Sequence, residues 1–407
     1  MHKLTTPSLR LTTWCFALAL GAFAAGCGGG GGGGGSAAPA VEAPGTVQQV
    51  DGFRVVTVAA GLSRPWGLTF LPGGVLLFTE RSGTMRTVMP DGSQLSAPIT
   101  GLPSMVVAGQ GGLLDVALDP NHATNQRVYW SYSEADAGTP SLSGTAVARG
   151  VLNNGALTQV QVIYRQSPKL AGSGHFGGRL AFGLDGNLFV TLGERQQDDP
   201  ANPTDLYAQN IVNGLGKVVR IDTDGQPVSD NPTFANGATA GLYSIGHRNP
   251  QAAAVHPVSG ELWLAEHGPQ GGDEVNRVTP GANYGWPKVS YGCAYGAPPD
   301  TTCKVNGGTH APTYTEPLTF WTPTAIAPSG MVFYTGTRYA GWQDNLFVGA
   351  LAGQAIWRLT IANGAVTNRE ALLAGRLGRI RDVRQGPDGW LYVLTDEANG
   401  RILRLER

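Results

Sequence analysis

Charge is scarce in this 407-residue chain: Asp, Glu, Lys and Arg make up 14% of it, and 28 basic against 29 acidic side chains leave a net charge of -1. So neutral a balance argues against nucleic acid as a partner. Long amphipathic helical patterns are lacking too, so the core must be built from something shorter. No GxGxxG turn stands between a strand and a helix, which speaks against the NAD and ordinary flavin folds. Cysteine is limited to four residues, and Cys15 and Cys27 fall in the N-terminal segment. The other two, Cys293 and Cys303, have no further ligands at the tight spacing a zinc site needs. Ten positions apart in an exported protein, they read most simply as a loop disulfide.

Export is the reading of the N-terminus. Lys3 and Arg10 precede an apolar run over residues 11–25, too short to span a bilayer and placed like a signal-peptide core. Ala24, Ala25 and Gly26 before Cys27 resemble the lipobox of bacterial lipoproteins, although Ala24 stands where leucine is usual. The expectation is a lipoprotein-type signal over 1–27, a Gly/Ala/Pro-rich tether over 28–47 and one catalytic domain over 48–407. The protein is then periplasmic or anchored to the outer membrane, in an oxidising compartment, and touches membrane only through a lipid on Cys27.

What the domain does have is glycine, 60 residues of it including those of the tether, and a repeat. GLTFLPGGVLLFTE from Gly67, DVALDPNHATNQRVYWSYS from Asp115 and RLAFGLDGNLFVTLGE from Arg179 each read as strand, Pro/Asp/Gly turn, strand. AAAVHPVSGELWLAEHG from Ala252, MVFYTGTRYAGWQDNLFVGAL from Met331 and DVRQGPDGWLYVLTDE from Asp382 continue the series. Six such hairpins at blade-length spacing predict an all-β, six-bladed β-propeller. Ring closure is expected between residues 53–58 and 402–405, which leaves no long edge exposed.

Polar chemistry concentrates between Tyr243 and Trp286. Arg248 and Asn249 precede Pro250, a strand ends in His267-Gly268-Pro269, and a glycine-rich turn leads to Asp273 and Glu274. An aromatic turn then closes on Tyr284 and Trp286. Polar groups packed this densely at the end of an apolar strand mark a site on a rigid scaffold.

Seven ordered motifs resemble the PQQ-dependent soluble aldose sugar dehydrogenases, relatives of soluble quinoprotein glucose dehydrogenase. They are GQGGLLDVALDP (109–120), HFGGRLAFGLDGNLFVTLGE (175–194), GHRNPQ (246–251), EHGPQGGDE (266–274), NYGWP (283–287), APSGMVFYTG (327–336) and GRIRDVRQGPDGWLYVLTDE (378–397). The resemblance implies oxidation of an aldose at C1 to the lactone, with PQQ as acceptor and electrons passed on to an external quinone or small redox protein. The chemistry agrees: no side chain accepts a hydride, so a cofactor must.

The resemblance makes His175 the general base, an imidazole expected to titrate near neutral pH. Glu194 matches the acidic residue that orients it, an aspartate in the glucose dehydrogenase. Arg248 and Asn249 match contacts to the quinone oxygens. Gln110, Tyr295 and Trp321 match further pocket positions. Arg379 and Arg381, two apart, share a face if that segment is extended, and planar forks on one face suit the cofactor carboxylates. Ala350-Leu351-Ala352 stands where the glucose dehydrogenase carries a lysine, so a cationic contact is lost or replaced by backbone donors. Gly268 and Pro269 match carbonyl ligands of the calcium that holds PQQ, and Glu274 with the Tyr284 carbonyl matches a second calcium. Two other readings stay open: a calcium-dependent propeller lactonase, and a propeller that binds a partner without catalysis.

Overall fold

A computed structural model describes residues 42–201, 206–298 and 302–407. The signal segment and most of the expected tether lie outside the described residues. Six antiparallel sheets form the blades of a β-propeller. Among the described residues, helix is confined to the single turn His122–Asn125 and two 3-10 turns.

The six repeats are the two innermost strands of the six blades. They are Pro65–Phe70 with Leu76–Glu80, Leu113–Leu118 with Arg127–Ala135, Gly177–Phe182 with Leu188–Leu192, Pro250–Val255 with Leu262–Glu266, Pro328–Phe333 with Leu346–Ala350, and Ile380–Gln385 with Leu391–Thr395. Each inner strand touches that of the next blade, and the sixth returns to the first. Ring closure follows the expected pairing: Phe53–Leu62 adds to Gly400–Glu406 with Val55 opposite Leu405 and Thr57 opposite Leu403. Contacts begin before the strands do, since Glu42 pairs with Arg401 at 3.2 Å and the Gly45 N–H donates to the Thr57 carbonyl at 2.8 Å. The cores lie between blades, as in the cluster of Trp263, Met331, Phe333 and Val348.

Every inner strand carries a register break near its start, at 65–68, 113–116, 177–180, 250–252, 329–331 and 380–382. A bulge re-aims the side chain it carries. Here the re-aimed residues include Trp66, Asp115, Arg179, Gln251 and Arg381, and they meet on the propeller axis. Arg179 stands 3.2 Å from both Asp115 and Asp382, all three with fully buried side chains. Its other nitrogens donate to the carbonyls of Gln251 (2.7 Å) and Arg381 (2.9 Å), and the guanidinium lies 4.1 Å from the centre of the Trp66 ring. The Ser329 hydroxyl donates to the same Arg381 carbonyl at 2.7 Å, so all six blades share one network. Glycine is needed beside it, because a Cβ on Gly330 would sit 2.1 Å from the Asp382 carboxylate. The Cys293–Cys303 disulfide closes its loop with Cα atoms 5.2 Å apart, as the spacing suggested.

Arg179→Met removes the central cation and leaves the carboxylates of Asp115 and Asp382 with Arg384 alone. Breaking a buried ion pair from one side costs about 3–5 kcal/mol. Denaturant unfolding should register that loss, and a change under about 1 kcal/mol would show that the axis does not hold the blades together.

Candidate active site

At the end of the axis where the bulges lie, the third and fourth blades bring most of the predicted residues together. His175 precedes the inner strand of the third blade and Glu194 follows the second strand, so one hairpin presents both. Nδ1 of His175 lies 2.5 Å from Oε1 of Glu194, and both side chains are buried. The other Glu194 oxygen accepts N–H bonds from Gln197 (2.6 Å) and Asp198 (3.2 Å). Gln110, from the loop before the second blade, accepts the His175 backbone N–H at 2.9 Å.

The pair does not titrate as the sequence suggested. Burial, followed by the charges of Arg248 and Arg195, holds the His175 imidazole well below its usual range, so it is neutral at physiological pH. Burial pushes the Glu194 carboxyl up, against the pull of Arg248 and its two backbone N–H bonds. A neutral imidazole donating Nδ1–H to a carboxylate leaves Nε2 with its lone pair, which is the form a base requires.

Arg248 and Asn249 sit beside this pair at the entry to the fourth blade. The Arg248 carbonyl accepts from the Glu194 N–H at 3.0 Å, and the Arg248 N–H donates to Glu266 at 2.7 Å. Its guanidinium donates to the Gly268 carbonyl (2.7 Å) and to the Tyr295 hydroxyl (3.0 Å), and lies 5.0 Å from the Trp286 ring centre. Asn249 accepts the Gly177 N–H at 3.1 Å. Among the described residues, the buried Arg248 Nε and Asn249 Nδ2 have no acceptor. Orphaned buried donors of this kind call for an explanation, such as a missing ligand.

Arg379 and Arg381 converge on Asp396, at 3.4 and 3.1 Å. They are not equivalent, because the bulge at 380–382 drives Arg381 into the axial network while Arg379 stays exposed. Two expectations need correction. Trp321 packs in the core between the fourth and fifth blades, 5.5 Å from Trp357. Backbone donors do not replace the absent lysine: the N–H groups of Leu351 and Ala352, which follow the buried Ala350, already donate to Ala327 (2.9 Å) and Ile326 (3.0 Å). Asp273 is buried and accepts from the N–H groups of Gly268, Ile326 and Ala327.

Gly268, Glu274 and Tyr284 line one internal cavity of about 20 Å³, together with Glu266, Ser290 and His310. Pro269 is buried next to Gly268. Burial and the nearby Glu266 push the Glu274 carboxyl well above the usual carboxylate range. Two carboxyl groups face this space, but among the described residues no group of three or more His, Cys, Asp or Glu side chains is placed to hold a metal ion. Sequence reasoning gave no role to Glu266, His267 and Arg195. Glu266 braces Arg248, and His267 donates Nε2–H to the Pro328 carbonyl at 2.9 Å, its ring pushed down to about 3 by burial and by His175. Their one signal was adjacency to residues already singled out.

The architecture is a six-bladed propeller with a buried imidazole–carboxylate pair and two unsatisfied donors beside it, and comparison gives the family. Residues 62–404 match Glucose / Sorbosone dehydrogenase, and the chain belongs to that family of sugar-oxidising enzymes. It is 42% identical over 350 residues to aldose sugar dehydrogenase YliI of Escherichia coli K12, covering 84% of this chain and 90% of that protein. Quinoprotein glucose dehydrogenase B of Acinetobacter calcoaceticus is 28% identical over 417 residues, covering 86% of each. The PQQ-bound aldose sugar dehydrogenase of Streptomyces coelicolor superposes with a TM-score of 0.70 at 28% identity, over 90% of this chain and 99% of that one.

Nitrogen NMR should find the His175 ring neutral at pH 8, with the proton on Nδ1, because Glu194, pushed up to about 7 by burial, is then ionised and accepts it. A ring that titrates near 6.5 would mean that the site is open to water and that the base is not built as described.

Proposed function

We propose that this sugar dehydrogenase oxidises aldoses at C1 with PQQ and calcium, and that His175 is its base. The observation that carries the reading is the pairing of a neutral, carboxylate-oriented imidazole with two orphaned buried donors, Arg248 Nε and Asn249 Nδ2. When bound, PQQ would supply the two-electron hydride acceptor and calcium a polarising charge. Nε2 of His175 takes the C1 hydroxyl proton as the C1 hydride departs, so the hemiacetal becomes a lactone. Glu194 stabilises the imidazolium that forms. Arg248 and Asn249 supply hydrogen-bond donors where negative charge develops on the acceptor. Arg379 and Arg381 would hold carboxylates of the cofactor. Gln110 and Tyr295 would complete the pocket, and Gly268, Pro269, Glu274 and Tyr284 the calcium shells. The electrons would leave to an external acceptor.

A lactonase would need carboxylate ligands on the axis itself. There, however, Asp115 and Asp382 are already neutralised by Arg179 and Arg384, which favours the oxidoreductase. On the same footing we infer export through the 1–27 signal and lipid anchorage at Cys27. Cys27→Ser should release the protein from membranes.

The protein purified without PQQ should be folded and inactive, and should reduce a dye with an aldose only after PQQ and Ca²⁺ are added. Aldose oxidation by the PQQ-free protein supplied with NAD would sink the proposal. His175→Ala should lower turnover by roughly 10²–10⁴-fold with PQQ binding intact.

Arg379→Ala should weaken PQQ binding by roughly 10–150-fold, the worth of a charge-assisted bond of about 1.5–3 kcal/mol, and excess PQQ should restore the rate. Arg248→Ala should stay slow at saturating PQQ, because its partner oxygen gains charge only as the hydride moves. Equal plateaus for the two variants would show that this division between binding and catalysis is mistaken.

A further inference from the structure

His175 is held in a backbone conformation that a non-glycine residue seldom adopts, with φ of +47°. Left-handed geometry costs an ordinary side chain about 1–2 kcal/mol, so the surroundings must impose it. Among those surroundings is Arg195, immediately after Glu194 and fully buried. Nε of Arg195 donates to the Gly174 carbonyl at 2.9 Å and Nη2 to the Gly172 carbonyl at 2.5 Å. Nη1 donates to the Ser143 carbonyl on the neighbouring blade. The Arg195 backbone N–H binds the His175 carbonyl itself at 3.2 Å. A single residue thus engages three carbonyls of the four-residue segment ending in His175 and ties that segment to the second blade. The Phe176 ring lies 3.8 Å from the guanidinium carbon and closes the remaining face. Space is closed from the opposite side as well, since a Cβ on Gly193 would fall 2.1 Å from the His175 carbonyl oxygen.

We propose that Arg195 is the positioning residue for the base: by gripping the carbonyls of Gly172, Gly174 and Ser143 it fixes the left-handed turn that aims the His175 ring at its substrate. The inference rests on His175 being the base. A guanidinium is suited to this task, because its planar fork reaches three acceptors in one plane, and an ammonium group would reach them only by giving up the stacking on Phe176. The charged and titratable groups around the ring are Glu194, Arg195, Arg248 and His267. Arg195 touches no reacting atom, so its effect must pass through His175.

Arg195→Met and Arg195→Lys, reconstituted with PQQ and Ca²⁺, test the assignment by separating turnover from binding. Misplacing a base by about 1 Å costs on the order of 10²-fold, so Arg195→Met should lose roughly 10–100-fold in kcat. Its KM for the aldose and its affinity for PQQ should stay within about threefold of the parent, a change of under about 0.7 kcal/mol. Arg195→Lys should recover only part of the rate, since it restores the charge without the fork. It also decides the matter if the methionine variant does not fold. The second readout needs no activity: the His175 ring nitrogens in the PQQ-free protein should show a single Nδ1–H tautomer in the parent and a mixture in Arg195→Met. Should the parent fail to oxidise sugars at all, the proposed function falls and the ring spectrum alone judges Arg195. Unchanged ring signals, a full rescue by lysine, or a fall in kcat matched by an equal fall in PQQ affinity would each overturn the assignment.

Discussion

A single buried cation, Arg179, held between Asp115 and Asp382, is the contact on which the rest of the molecule depends. Charges taken out of water are costly unless their partners are fixed, and here the partners come from different blades. The second blade supplies Asp115, the sixth Asp382, and the first and fourth a ring face and a carbonyl. The blades must reach one angular arrangement before the network is satisfied. That arrangement also sets the distance between His175 on the third blade, Arg248 on the fourth and Arg381 on the sixth.

The same construction explains why so much polar chemistry can sit in a protein with so little charge. The second strand of most blades is largely apolar, as in Leu76–Glu80 and Leu391–Thr395, while the buried charges of Asp115, Arg179, Arg381 and Asp382 meet at the axis. At the active-site end, Arg248 and Arg195 lie near the His175–Glu194 pair, and Arg381 is paired with Asp396. Burial, aided by the positive charges of Arg248 and Arg195, holds the His175 imidazole neutral. Beneath His267-Gly268 the balance reverses, with Glu266 and Glu274 facing one small cavity. The two regions meet at the Gly268 carbonyl, which already accepts from Arg248.

The fold was legible because it is written in local terms. Short apolar runs broken by Pro, Asp and Gly mark each hairpin, and six of them fix the architecture. The nearness of His175 to Glu194 was legible from the hairpin motif they share. What could not be read is everything the bulges do. Strand alternation places Arg379 and Arg381 on one face, yet a one-residue register break separates an exposed guanidinium from a buried one. Solvation was hidden for a similar reason. His175 and Asp273 stand among glycines that suggest an open turn, and only the packing of neighbouring blades removes water from them. Trp321 and the 350–352 segment lie outside the seven motifs, and correspondence to a family position does not say which side of a blade a side chain or an N–H faces.

Closure by the N-terminal strand has a consequence for how the molecule comes into being. Arg54 and Glu406 lie 352 positions apart yet pair across the same blade. Contacts so distant in sequence form late, because the entropy of closing the loop is lost before the contact repays it. Arg381 and Asp382 belong to the blade that those two ends complete. The first five blades can therefore collapse as the chain emerges, while the axis lacks its last carboxylate and its site lacks an arginine. Catalytic competence is in this sense a proofreading signal: it arises only in a chain whose first and last strands have found each other.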